Sequence, residues 1–197
     1  MLTNIVNFYD GADLNLATFI ALTAVAILIF APPRHFIIAN GIAFLAFIVP
    51  FAVINSRPKT IYLGDAGSFA FASFLTVVAI SYFRGDGLAP QVAIPLALPA
   101  LDTFYVLCIR IAEKHDLMTR NYLHLYQKLN HYYKGFGYLL PQIANAALSL
   151  ALAAALQTFG LHEFVAVASG MILVTIPFYF ACRKLLLPSA NLGGYAA

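Results

Sequence analysis

Six apolar stretches, at about residues 14–30, 36–55, 66–83, 88–112, 136–159 and 164–182, decide what this chain can become. A hydrocarbon core of about 30 Å takes roughly 20 helical residues to cross, and each stretch is close to that length. Backbone polar groups inside a bilayer must be paired internally, which leaves helices or a closed barrel. Barrel strands are short and alternate with period two, whereas these runs are apolar on every face. The reading is all-α: a polytopic transmembrane helical bundle of about six membrane-spanning helices. Pro32 and Pro33, Gly85 and Gly87, and Pro188 punctuate the spans, and no linker divides residues 1–197, so a single membrane domain is expected. With 62% hydrophobic and 10% charged residues the chain is not an ordinary soluble domain, where about a quarter of residues are charged.

The eleven Lys and Arg residues sort unevenly between alternate loops. Arg57, Lys59, Arg110, Lys114, Arg120, Lys128, Lys134, Arg183 and Lys184 fall on one side, and only Arg34 and Arg84 on the other. Positive charge accumulates on the cytoplasmic side, so the nine-residue side is expected there, with both chain ends. A net charge of +3 spread over short loops speaks for orientation and against nucleic acid as a partner. The first ten residues hold no Lys or Arg, unlike the basic start of a cleavable signal peptide, and nothing is expected to be removed. Cys108 and Cys182 sit inside apolar runs and suggest neither a disulfide framework nor a metal cluster.

The unusual polar clusters all fall on the basic side. Asn4, Asn7, Asp10 and Asp13 recur every third residue before the first span, in a chain with only eight acids. That spacing keeps them on one slowly spiralling stripe of a helix, with Gly11 able to loosen the backbone. Carboxylates there can bind a hard cation, activate a hydroxyl or cap the helix. In YLGDAGSFAFASF, residues 62–74, Gly64 and Gly67 flank Asp65, and Ser68 sits where it could cap the third span. N–H groups at a glycine-rich helix start make an anion site, and the carboxylate makes a cation site beside it; a capped loop is the plainer alternative. Asp102 lies within an apolar run, where an acid faces the protein interior or a cavity. It either serves chemistry or hydrogen-bonds a neighbouring helix near the cytoplasmic end. In the following loop Tyr122, Tyr126 and Tyr133 fall at helical spacing, with His124 and His131 seven apart on another face. An interfacial amphipathic helix with an aromatic belt is expected there.

Together, N-x-x-N-x-x-D-G-x-D, L-G-D-A-G-S-F, P-x-L-D-T and H-L-Y-Q-K-L, in that order, resemble the polyprenyl-phosphate N-acetylhexosamine-1-phosphate transferases. This superfamily includes phospho-MurNAc-pentapeptide translocase and the enzymes that start O-antigen; the H-L-Y-Q form is similar to the O-antigen branch, glycosyltransferase family 4. The match runs over residues 4–130 and is only general, as membrane helices, beyond. The resemblance implies transfer of a sugar-1-phosphate from a UDP-sugar to a polyprenyl phosphate lipid, releasing UMP and using Mg²⁺. It implies a multi-pass protein of the bacterial inner membrane, with cytoplasmic motif loops, serving cell-wall or surface polysaccharide synthesis, and it leaves room for a homodimer. By motif position, Asn7 and Asp65 would hold the metal. Asp10, Asp13 and His124 would be catalytic, while Asn4, Gly64, Gly67, Ser68, Arg120 and Lys128 would bind substrate.

Two departures qualify the match. After Asp13 the family continues Gly-Leu, and here the chain reads Leu14-Asn15, which removes a flexible turn. The family's earlier spans and their D-D-x-x-D loop have no counterpart, and no two acids are adjacent anywhere in the chain. The chain is therefore expected to be the C-terminal part of such an enzyme. A non-catalytic homologue that keeps the fold, or a small transporter using Asp102 as a coupling acid, are the alternatives.

Overall fold

The structure, a computed structural model, describes residues 6, 14–31, 36–56, 63–84, 88–115, 122–133 and 135–187. Among them every regular element is helical. Helix α1 spans Asn15–Phe30, α2 Phe36–Asn55, α3 Gly64–Phe83, α4 Ala97–Ala112, α5 Leu125–Tyr132, α6 Leu140–Thr158 and α7 Glu163–Leu185. A 3₁₀ segment, Pro90–Leu96, runs straight into α4, and a shorter one, Gly137–Leu139, leads into α6. All six expected spans are present. Five are long and apolar enough to cross a membrane, and α1 has 16 residues. At 1.5 Å per residue α1 reaches only about 24 Å, short of a typical hydrocarbon core.

The fourth span opens as 3₁₀ for a local reason. Pro90, Pro95 and Pro99 each lack an amide donor, so the first turns cannot close a full α-helical ladder. This segment packs against α1, α4, α6 and α7, near the middle of the bundle. Pro50 in α2 and Pro177 in α7 lie inside helices that remain continuous, as membrane helices tolerate.

Aromatic contacts tie the first three helices together. The Phe71 ring of α3 meets Phe19 of α1 edge-on at 5.4 Å and Phe44 of α2 at 5.4 Å, and Phe44 also lies 4.6 Å from Phe74. Such pairs add about 0.5–1.5 kcal/mol each to the burial of their area. The outward faces stay apolar: Phe47, Val53, Phe104, Ile172 and Leu173 are all exposed. In a chain of this composition those are lipid-facing positions.

Helices α6 and α7 form an antiparallel pair at very close range. A Cβ on Gly170 would stand 2.6 Å from the Ser149 carbonyl oxygen and 3.3 Å from Ala153 Cβ. Small residues at such crossings let membrane helices approach and gain dispersion contacts. Gly170→Ala is expected to push the pair apart and cost about 1–3 kcal/mol. A lowered melting temperature in detergent, followed by circular dichroism, checks this; an unchanged one would show that the crossing has slack.

Candidate functional site

Asp102, on α4, is fully buried, and its carboxylate is the centre of a polar cluster drawn from three parts of the chain. Oδ2 lies 2.8 Å from His124 Nδ1. Oδ1 accepts from the Leu125 backbone N–H at 3.0 Å and from the Tyr179 hydroxyl of α7 at 2.7 Å. Arg183, one helical turn beyond Tyr179, brings Nη2 to 3.9 Å from the same oxygen. A buried carboxylate is costly unless paired and hydrogen-bonded, and here both oxygens are engaged.

A carboxylate only accepts, so His124 Nδ1 carries the proton in this bond. In the neutral ring Nε2 is then the basic nitrogen. The rest of the H-L-Y-Q-K-L motif explains itself in the same geometry. His124 is the N-cap of α5, and its backbone N–H donates to Gln127 Oε1 at 3.3 Å, the reach-back half of a capping box. Leu125, Tyr126 and Leu129 are buried in the core, and the Tyr126 ring lies 5.9 Å from the His124 ring, nearly parallel. Lys128 is buried too; burial first, and the nearby Arg183 guanidinium second, hold its ammonium below the usual lysine range.

The expected interfacial tyrosine belt is corrected by this packing. Tyr126 turns inward, Tyr122 and Tyr133 lie outside the eight residues of α5, and His124 sits at the helix cap while His131 is exposed. The motif is docked onto the bundle by Asp102 instead of lying on a membrane surface. Asp102 itself bonds both a neighbouring helix and the loop.

At the second cluster, α3 begins at Gly64, earlier than the apolar run alone suggests. Gly64 takes φ +64°, a left-handed conformation that suits glycine. Gly67 leaves room for the Leu63 side chain, since a Cβ there would fall 2.3 Å from Leu63 Cγ. Because the helix starts early, Ser68 is not its cap: the hydroxyl donates to the Asp65 carbonyl at 3.1 Å, one turn inside, and no side chain caps α3. Asp65 is exposed in the first turn.

Leu14 stands where the family motif has glycine. It adopts φ +63°, and its N–H donates to Asn55 Oδ1 at 2.6 Å, joining the start of α1 to the end of α2. The left-handed turn is therefore kept, with leucine bearing a strain of about 1–2 kcal/mol. Asn4, Asn7, Asp10, Asp13 and Arg120 lie outside the described residues. Of the expected site residues, His124 and Lys128 share the Asp102 cluster, whereas Gly64, Asp65, Gly67 and Ser68 form the start of α3. Tyr179 and Arg183 were not among the expected site residues. Their only sequence signal is an i, i+4 pair of polar tips at the end of the last span.

Residues 1–83 match the family model for glycosyl transferase family 4. The chain is 23% identical over 133 residues to a probable undecaprenyl-phosphate N-acetylglucosaminyl 1-phosphate transferase of Bacillus subtilis (strain 168), covering 65% of this chain and 37% of that protein. It is 31% identical over 80 residues to a phospho-N-acetylmuramoyl-pentapeptide-transferase of Lactococcus lactis subsp. cremoris (strain MG1363), covering 40% and 24%. A Streptococcus sanguinis (strain SK36) protein of the same name is 32% identical over 81 residues, covering 40% and 25%. The chain thus spans between 24% and 37% of the length of these relatives. No solved structure matches. The order of motifs, the helical membrane bundle and these relatives agree, and the chain belongs to the polyprenyl-phosphate N-acetylhexosamine-1-phosphate transferase superfamily, glycosyl transferase family 4.

Proposed function

We propose that this chain takes part in transferring a sugar-1-phosphate from a UDP-N-acetylhexosamine to a polyprenyl phosphate, releasing UMP, at the cytoplasmic face of a bacterial inner membrane. The observation that carries the reading is the docked H-L-Y-Q-K-L segment, with His124 held through Nδ1 by a buried carboxylate at 2.8 Å. A fixed imidazole beside a buried, burial-tuned lysine suits contact with phosphate oxygens, since phosphoryl transfer needs charge neutralisation and positioning more than covalent chemistry. The B. subtilis relative's name supplies the first donor to try, UDP-N-acetylglucosamine.

Mg²⁺ is the implied cofactor, and Asp65 fits it in kind. It is a hard oxygen donor, exposed at a helix start, and Mg²⁺ commonly takes one or two carboxylates while keeping several waters. Among the described residues no three His, Cys, Asp or Glu gather around a common point, so Asp65 and Asn7 would hold the ion together with phosphate and water. When bound it would neutralise phosphate charge. The uncapped start of α3 would favour the phosphate itself. Asp10 and Asp13 are assigned to the nucleotide-sugar pocket by their motif positions, with Asn4 and Arg120 as substrate contacts.

The test is UMP release by the purified chain in detergent. UDP-N-acetylglucosamine, undecaprenyl phosphate and Mg²⁺ are supplied together, then with each left out in turn. Release that requires all three is the expected result; a folded, helical sample that releases no UMP under any combination would overturn the reading for this chain.

A further inference from the structure

The last helix touches the candidate site at three points that no family motif reaches. Arg183 Nη2 donates to the Leu123 carbonyl, the residue before His124. The Tyr179 hydroxyl donates to the carboxylate that holds the His124 ring and the Leu125 amide. Beyond α5, the Tyr133 hydroxyl donates to the Leu186 carbonyl at 2.7 Å. Three successive loop residues, 123–125, are therefore gripped from α4 and α7, and the far end of α5 is tied to the end of α7 as well.

The grip is built from rigid parts. Tyr179 is fully buried and Arg183 is 6% exposed. The guanidinium lies 4.5 Å above the Tyr105 ring of α4 and 5.2 Å from the Tyr179 ring, an arrangement in which a planar cation is held by two aromatic faces. Tyr105 in turn meets Tyr179 edge-on at 5.4 Å. Helices α4 and α7 are thus locked at the level of Asp102 by the same side chains that hold the loop.

We propose that Tyr179 and Arg183 are positioning residues for His124, acting through Asp102 and Leu123 to fix the ring's tautomer and its place over the site. This rests on the assignment of His124 to phosphate chemistry. It makes α7, which reads in sequence only as a membrane span, a working part of the transferase.

Three variants of the full chain test it. Tyr179→Phe keeps the ring and removes the hydroxyl; Arg183→Met removes the charge and the fork; Arg183→Lys keeps the charge on a different geometry. With UMP release as the assay, Tyr179→Phe and Arg183→Met are each expected to lower kcat by about 10- to 100-fold, the scale of a misplaced catalytic group. KM for both substrates should stay within about twofold, and Arg183→Lys should recover only part of the loss. The second readout is the His124 ring tautomer, read from nitrogen-15 shifts of histidine-labelled protein and assigned with His124→Gln. The Nδ1–H form should dominate in the parent chain and lose its dominance in Tyr179→Phe/Arg183→Met. An unchanged tautomer and kcat in that double variant would overturn the proposal, as would a loss of kcat that follows melting temperature alone while the tautomer holds. If the parent chain releases no UMP, the functional reading fails by itself, and the tautomer still decides whether α7 positions the ring.

Discussion

Asp65→Asn is expected to remove Mg²⁺-dependent UMP release, by on the order of 10³-fold or more, while leaving the bundle folded. The amide keeps the shape of the carboxylate and one carbonyl oxygen, but not the charge that a hard divalent cation prefers. The structural cost is small, because Asp65 is exposed and belongs to no buried network among the described residues. What is lost locally is a favourable first-turn charge at a helix start, about 0.3–1 kcal/mol. Activity and stability should therefore separate cleanly. Assays over a Mg²⁺ series, beside a thermal melt of the same preparation, check both; full turnover in the variant would sink the metal assignment.

Asp102→Ala has the opposite profile, a large loss of stability with activity lost as a consequence. The carboxylate receives His124, the Leu125 amide and Tyr179, with Arg183 beside it. Its removal strands a buried cation and three buried donors together. Breaking one side of a buried charged network costs about 3–5 kcal/mol. Asp102→Asn should be milder: its oxygen can still accept from Tyr179 and Leu125, but its NH₂ group opposes the Nδ1–H of His124. The expected order of melting temperature is parent, Asn, Ala, with protease cleavage near residues 113–124 rising in the same order. Equal melting temperatures in all three would mean that the loop is held by its apolar contacts alone.

The membrane topology was legible because bilayer physics leaves few options. Each expected span appears, and the differences have local causes, such as the prolines that make Pro90–Leu96 a 3₁₀ segment. Asp102 was legible as an anomaly, an acid in an apolar run, and so was the helix start at Asp65. The contacts between these features were not. Residues 102, 124 and 179 are brought together by helix packing, and the 77 residues between Asp102 and Tyr179 carry no periodic signal of that pairing. Arg183 illustrates the limit well. Counted as a loop charge it reports orientation, yet it is buried between two tyrosines and bonded to the loop. Leu14 shows the converse: a residue that breaks the motif on paper preserves its backbone, because the Asn55 side chain holds the turn that glycine would adopt freely.

The shortness of α1 bears on where a reaction with a lipid could occur. A helix about a turn shorter than the hydrocarbon slab must be matched by a thinner bilayer around it or by sinking one end, each at fractions of a kcal/mol per Å. Leu14 and Asn55 tie that end to α2, so the two helices share the depression. Polar groups entering α1 are then drawn down towards the depth at which phospholipid phosphates lie. An acceptor phosphate on a polyprenyl chain could be met there in place, its tail still in the membrane, while the soluble nucleotide-sugar approaches from the water side.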